Sequence, residues 1–204
     1  MTHEQTDPRV RRTHELLQEA LIELAAERGF DAITVGDIAR RASVNRATFY
    51  RHYQDKYDLL EQIFQEVIRQ FASDLGPPGE VARSIDPQDP PDRWVKLFEH
   101  FAAHERLYHT LLGRKGSSWF VARVRDYFTS LMEEREQQRA QLPAFQGKTF
   151  QSRMPRKVAM TLASNLLIST VAWWLESGKQ YSPEQIAGWF LDLAINGYVR
   201  VLGL

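Results

Sequence analysis

Between residues 8 and 28, Val10, Leu17, Leu21, Leu24 and Ala25 recur at three- and four-residue intervals, the spacing that lines up one apolar stripe on an α-helix. Gly29 supplies a stop. A second helix is predicted from Thr34, whose hydroxyl can cap the backbone while Asp37, three residues on, closes a capping box. Its apolar positions are Val35, Ile38, Ala39 and Ala42. After the tight Ser43-Val44 connection, Asn45 is a good N-cap for a third short helix, 46–52 or 46–53. Lys56 begins a longer fourth helix with Leu59, Leu60, Ile63, Phe64, Val67 and Phe71 on one face.

Residues 76–91 break this pattern, holding five of the nine prolines interleaved with Gly76 and Gly79, and helix cannot continue through them. Four further helical stretches follow, 92–112, 117–140, 155–177 and 183–202, with no alternating strand. The last opens Ser182-Pro183-Glu184-Gln185: an N-cap, a proline at the first helical position and a capping-box Gln. The pattern predicts an all-α chain with a compact N-terminal unit at 8–68, a Pro-rich linker at 76–91 and a larger C-terminal unit at 92–204.

Composition fits a globular chain, with 43% hydrophobic and 25% charged residues among 204. Twenty-six Lys+Arg balance 26 Asp+Glu, so no global charge draws the chain to nucleic acid. Position changes that picture. Residues 1–31 carry four basic and seven acidic groups, 32–56 carry five and two, and 57–204 carry seventeen of each. Residues 38–54 contain Arg40, Arg41, Arg46 and Arg51 and no acid at all. Absence of cysteine removes disulfides, thiolate metal sites and thiol nucleophiles, which suits a reducing compartment. The polar, acidic first ten residues lack the basic end and apolar run of a leader, so the expected location is cytoplasmic. The uncharged stretch 158–175 approaches the length of a bilayer span, but Thr161, Ser164, Asn165, Ser169 and Thr170 make it read as a buried helix, with no membrane partner expected.

Two short capped helices joined by three or four residues have the form of a helix-turn-helix, a weak signature by itself because helix pairs are common. The basic island falls on that pair. The run from Ile33 through Thr34, Asp37, Ser43, Asn45 and Arg46 to Lys56 resembles the DNA-binding domain of TetR-family regulators. The likeness extends from about Arg9 to Ile68 and is most specific at Phe49-Tyr50, Tyr53 and Lys56. This resemblance implies an N-terminal three-helix helix-turn-helix domain and a C-terminal helical bundle for dimerisation and effector binding.

It further implies a third helix lying in the major groove of a palindromic double-stranded operator. Arg46 can make a bidentate contact to guanine, and Ala47 and Thr48 can meet a thymine methyl. Tyr50, His52, Lys56 and Thr34 match phosphate-holding positions, and Asn45 and Arg51 complete the expected DNA-binding set. Arg40 and Arg41, ending the second helix, are expected to be solvated. Where the family frequently has glycine, this chain has Ser43 in the turn and Ala47 in the reading helix. Ala47 should stiffen that helix, whereas Ser43 leaves the turn's geometry open.

All five tryptophans follow residue 91. Trp94, Phe98, Phe101, Trp119 and Asn165 are candidates for an effector pocket, with a well-packed core as the alternative. The last two helices are apolar on more than one face, so a second burial surface is needed. Trp173, Trp189, Phe190, Leu193 and Tyr198 are the expected homodimer contacts. The run from Trp173-Trp174 to Asn196-Gly197 is similar to a TetR subgroup that includes an activator of dihydroxyacetone kinase operons, which keeps a protein effector and activation open.

His100 and His104 lie four apart, a spacing that can share a metal. The zincin glutamate between them is missing and no thiolate exists, so neither a metal nor a cofactor is expected. No paired-carboxylate arrangement or Gly-rich phosphate loop occurs, and an enzyme built on His100, His104 and Glu105 would lack a convergent motif. The sequence therefore reads as a sequence-specific DNA-binding transcriptional regulator, a repressor released by a small-molecule or protein effector. The alternatives are an activator of a metabolic operon, a non-specific architectural DNA binder and, last, an enzyme.

Overall fold

Nine α-helices and one 3-10 turn carry the described residues, 8–74, 89–141 and 154–201 of a computed structural model. They are α1 (Pro8–Arg28), α2 (Val35–Arg41), α3 (Arg46–His52), α4 (Lys56–Asp74), α5 (Asp92–Ala103), α6 (Glu105–Leu112), α7 (Ser118–Ala140), α8 (Arg156–Glu176) and α9 (Pro183–Val201). The all-α expectation holds. Most of the expected linker, 76–88, lies outside the described residues.

α1 buries Leu17, Ala20, Leu21, Leu24 and Ala25, one face of the predicted stripe, while Val10 stays partly exposed. Removing a Leu side chain of this kind from water is worth about 1.5–3 kcal/mol. α1 stops at Gly29, whose φ of 82° suits a residue without a Cβ. A Cβ there would also stand 3.2 Å from the Lys115 carbonyl in the α6–α7 connection. The 3-10 turn Phe30–Ala32 follows and buries Phe30 completely.

One predicted helix is two. The stretch 92–112 breaks at His104, where φ is −107° and ψ is 30°. The two halves bury their apolar faces against different neighbours. α5 packs on α9 through Trp94 and Phe98, whose rings lie 5.3 and 5.9 Å from that of Phe190. α6, with Leu107, Tyr108, Leu111 and Leu112 buried, packs on α1 and α8. A single straight helix could not serve both.

α8 packs along α7, and although it is less buried than expected, four of its polar residues find partners. The Ser164 and Thr129 hydroxyls meet at 3.2 Å, Arg125 donates to the Asn165 side chain at 2.8 Å, and Thr161 and Thr170 donate to carbonyls four residues back. Lys157–Glu176 is long and apolar enough to cross a membrane by length and composition. In this fold it buries Leu167, Val171 and Trp174 and leaves Val158, Leu162 and Trp173 exposed.

The core is continuous from α1 through α9. Phe64 of α4 meets Phe120 and Tyr127 of α7 edge-on, at 5.5 and 5.8 Å, and Arg123 of α7 clasps Glu61 of α4 with its Nε at 2.6 Å. α4, which follows α3 in the chain, thus ties the helix pair α2–α3 to α7, and α1, packed on both α2 and α6, makes a second tie.

Candidate nucleic-acid interface

The first turn of α2 is closed by the predicted capping box. The Thr34 hydroxyl accepts from the Asp37 amide at 3.2 Å, while the Thr34 amide donates to the Asp37 carboxylate at 3.1 Å. That hydroxyl also donates to the same carboxylate at 2.7 Å. These bonds, with Arg28 and Arg40 nearby, hold the Asp37 carboxyl below its ordinary pKa. Thr34 was expected to hold a phosphate; its proton is engaged by Asp37 instead.

α2 ends in a Schellman motif. The Val44 amide donates to Ala39 O at 2.9 Å and the Ser43 amide to Arg40 O at 3.2 Å, with Ser43 in the left-handed region at φ 57°. A serine accepts the geometry that glycine would adopt freely, at a cost of about 1–2 kcal/mol. Asn45 then starts α3, its side-chain oxygen accepting from the Ala47 amide at 2.8 Å. The turn therefore aims α3 through two backbone bonds and the Asn45 cap.

Two aromatic residues fix which side of α3 faces out. Phe49 is fully buried and Tyr53 nearly so, with ring centroids 5.5 Å apart. At 100° per residue this leaves Arg46, Ala47, Tyr50 and Arg51 on one exposed face, with Thr48 and His52 half-buried at its edges. The Arg46 guanidinium lies 6.0 Å from the centre of the Tyr50 ring. A short helix thus presents two guanidinium groups, a phenol and a methyl to solvent, with no acid among them.

Three basic residues of the island face elsewhere. Lys56, expected at a phosphate, directs its ammonium to the carbonyls of Phe30, Asp31 and Ile33 at 3.0, 3.0 and 2.9 Å, and over the Phe30 ring. It caps the 3-10 turn because those carbonyls have no helix to continue into. Arg41, expected to be solvated, forms a two-pronged bond to Glu27 at 2.8 and 2.7 Å and reaches Glu23 at 3.0 Å. That pairing raises the Arg41 pKa and lowers that of Glu27. Arg40 is the exposed member of the pair, leaning on Asp37 at 3.4 Å. His52 sets its ring edge-on to His14 of α1 at 4.8 Å; burial and the neighbouring His52 push the His14 pKa down.

Sequence reasoning missed this acidic backing. Glu19, Glu23 and Glu27 recur every four residues and form one stripe on α1, which holds Arg41 of α2 on one side and Arg106 of α6 on the other. The four-residue interval was the available signal.

The candidate effector residues do not gather round one cavity. Phe98 and Phe101 are buried core, Trp94 covers Phe190, Trp119 packs on Tyr57 at 5.4 Å, and Asn165 is held by Arg125. Among the proposed dimer contacts, Phe190 is buried within its own chain, whereas Trp173 and Trp189 are 52% and 48% exposed on either side of Tyr181. Leu193 is half-buried, and the Tyr198 side chain lies outside the described residues. His100 is buried and bonded to the Tyr108 hydroxyl at 2.9 Å, and burial holds its pKa down to about 3. Among the described residues no three potential ligands cluster as a metal site.

Comparison with known proteins is consistent with this geometry. The family model for bacterial regulatory proteins of the tetR family matches residues 17–63, and one for a transcriptional regulator C-terminal region of TetR type matches 88–196. The HTH-type transcriptional regulator YxbF of Bacillus subtilis (strain 168) is 28% identical over 97% of this chain; the chain spans 49% of that relative, about half its length. A TetR transcriptional regulator from Streptococcus agalactiae 2603V superposes with a TM-score of 0.63 at 22% identity, covering 92% of this chain and 96% of that one. The dihydroxyacetone kinase operon activator DhaS superposes at 0.53 with 16% identity, covering 90% and 94%. At those identities the two structures establish the shared fold alone.

Proposed function

The chain belongs to the tetR family of bacterial regulatory proteins, and on that premise we propose that it is a sequence-specific DNA-binding transcriptional regulator that reads its operator with α3. The observation that carries this reading is the acid-free outer face of α3, Arg46, Ala47, Tyr50 and Arg51, held outward by the buried Phe49 and Tyr53. A helix of that width enters a major groove with its first residues at base edges. Arg46 there offers a guanidinium fork for guanine, Ala47 a methyl for thymine, and Arg51 and Tyr50 reach phosphates.

The protein acts as a homodimer in the cytoplasm, placing two copies of α3 about one DNA turn apart, ~34–36 Å, on a palindromic site. The exposed stripe of Val158, Leu162 and Trp173 on α8, flanked by Trp189 of α9, supports a second copy as its cover. Binding represses, and an effector releases the operator by favouring a different separation of the two α3 helices. The likeness to the operon activator DhaS is one of fold and favours activation no more than repression.

The test is selection of bound DNA from a random pool by the full chain, followed by titration of the recovered site. A palindromic motif preferred ~10³-fold or more over random DNA is expected. Arg46→Ala should relax one base pair in each half-site, by about 1–3 kcal/mol. Recovery of no motif, as for an architectural binder, or an equal loss on every sequence with Arg46→Ala, overturns the proposal.

A further inference from the structure

A cleft of about 370 Å³ opens where α1 and α4 meet the break between α5 and α6. Its size falls toward the small end of ligand pockets, ~300–1,000 Å³. Ile22, Ile63, Val67 and Leu107 give it apolar walls, and Gln18, Glu66, His104 and Arg106 are its polar members. None of the aromatic residues singled out from the sequence lines it.

The polar members are matched to a donor. Arg106 is already paired with Glu19 and Glu23, so its charge is compensated. Glu66 forms no salt bridge among the described residues; its carboxylate accepts one long bond, 3.4 Å, from the Gln18 amide nitrogen. With that nitrogen engaged, the Gln18 carbonyl oxygen is left to accept. Burial lowers the His104 pKa, so its ring is neutral at pH 7 and carries an acceptor nitrogen. One uncompensated carboxylate and two neutral acceptors border an apolar surface.

We propose that this cleft binds a small organic cation, its ammonium on Glu66 with His104 and Gln18 as further acceptors and its apolar body on Ile63, Val67 and Leu107. An anion of the same size would meet Glu66, and the one cation among the described lining residues, Arg106, is already paired with Glu19 and Glu23. The walls come from α1 and α4, which carry α2 and α3, and from the α5–α6 break, which packs on the rest of the bundle. A ligand that binds one arrangement of these elements better than another shifts α3 with it. That consequence rests on the regulator reading; the binding itself does not.

Calorimetry on the full chain without DNA tests the site, with 4-phenylbutylamine as the probe and 4-phenylbutanol and 4-phenylbutanoate as neutral and anionic controls of the same body. One saturable amine site is expected, with the alcohol ~10-fold weaker or more and the carboxylate weaker still. Glu66→Gln, at an exposed position, should weaken the amine ~10-fold or more at unchanged helicity. Val67→Phe, which narrows the cleft and alters no charge, should weaken it too. Equal binding of the three probes, no amine binding up to millimolar concentration, or indifference to both substitutions overturns the proposal. Failure to select an operator overturns the regulator reading and leaves this measurement standing.

Discussion

Lys56→Met separates the two roles open to that lysine. The ammonium bonds to the Phe30, Asp31 and Ile33 carbonyls at 2.9–3.0 Å, and two of the three bonds are partly buried. A methionine keeps most of the side-chain volume and removes all three donors. The Asp31 carbonyl is exposed and water replaces its lost partner. Each of the other two loses a hydrogen bond to a charged group, worth about 1.5–3 kcal/mol in full burial and about 1–2 kcal/mol at partial burial. The expected destabilisation is therefore about 2–4 kcal/mol, or roughly 5–12 °C in the melting temperature for a chain of this size. Thermal unfolding followed by circular dichroism gives that figure, and the salt dependence of operator binding gives the complementary one. A lysine on a phosphate in each half-site would lower the slope of log K against log[salt] by ~1.8 for the dimer, ~0.9 per protomer, whereas a structural lysine should leave it within ~0.3. An unchanged melting temperature together with a slope lowered by nearly two units refutes the reasoning and returns Lys56 to the DNA.

Ser43→Gly should raise stability by about 0.5–1 kcal/mol, because relief of the left-handed serine exceeds the added freedom of the unfolded chain; a lower unfolding midpoint in urea would contradict the strain assigned to φ 57°. His100, held down to about 3 by burial, takes up a proton on unfolding between that value and 6.5, so stability should fall as pH drops from 6.5. His100→Gln should flatten that limb of the pH–stability curve, and an unchanged slope would assign it to other groups. Glu61, lowered by Arg123, adds stability that is complete above its ordinary 4.5 and lost as pH falls through its folded value; Glu61→Gln should remove that acid-side loss, read by unfolding at pH 3 to 6. Replacing Trp173 and Trp189 together by serine should yield a monomer in light scattering at micromolar concentration, and a dimer of unchanged affinity would remove both residues from the interface.

Much of the helix pair α2–α3 was legible because its determinants are local. Thr34 with Asp37, and Asn45 with the amide two residues on, are contacts between neighbours in the chain, so spacing is enough to find them. Phe49 is legible as core, whereas the burial of Tyr53, which settles the outer face of α3, comes from packing in the fold. The break at His104 was not legible. Neither glycine nor proline stands there, and the helix turns because α5 and α6 find apolar partners in α9 and in α1 and α8. The partners of Arg41 and Lys56 were not legible for the same reason: the sequence displays a positive charge, whereas Glu27 and the Phe30 carbonyl come from other elements.

By itself, then, the sequence determined the all-helical fold and the capped helix pair, since periodicity and capping act over a few residues. Only the tertiary structure decided which of the basic residues remain open to a partner. Arg46 and Arg51 point outward, whereas Arg41 and Lys56 are held by groups 14 to 26 positions away in the chain. Charge is a property of a residue, but its availability depends on what packing brings beside it.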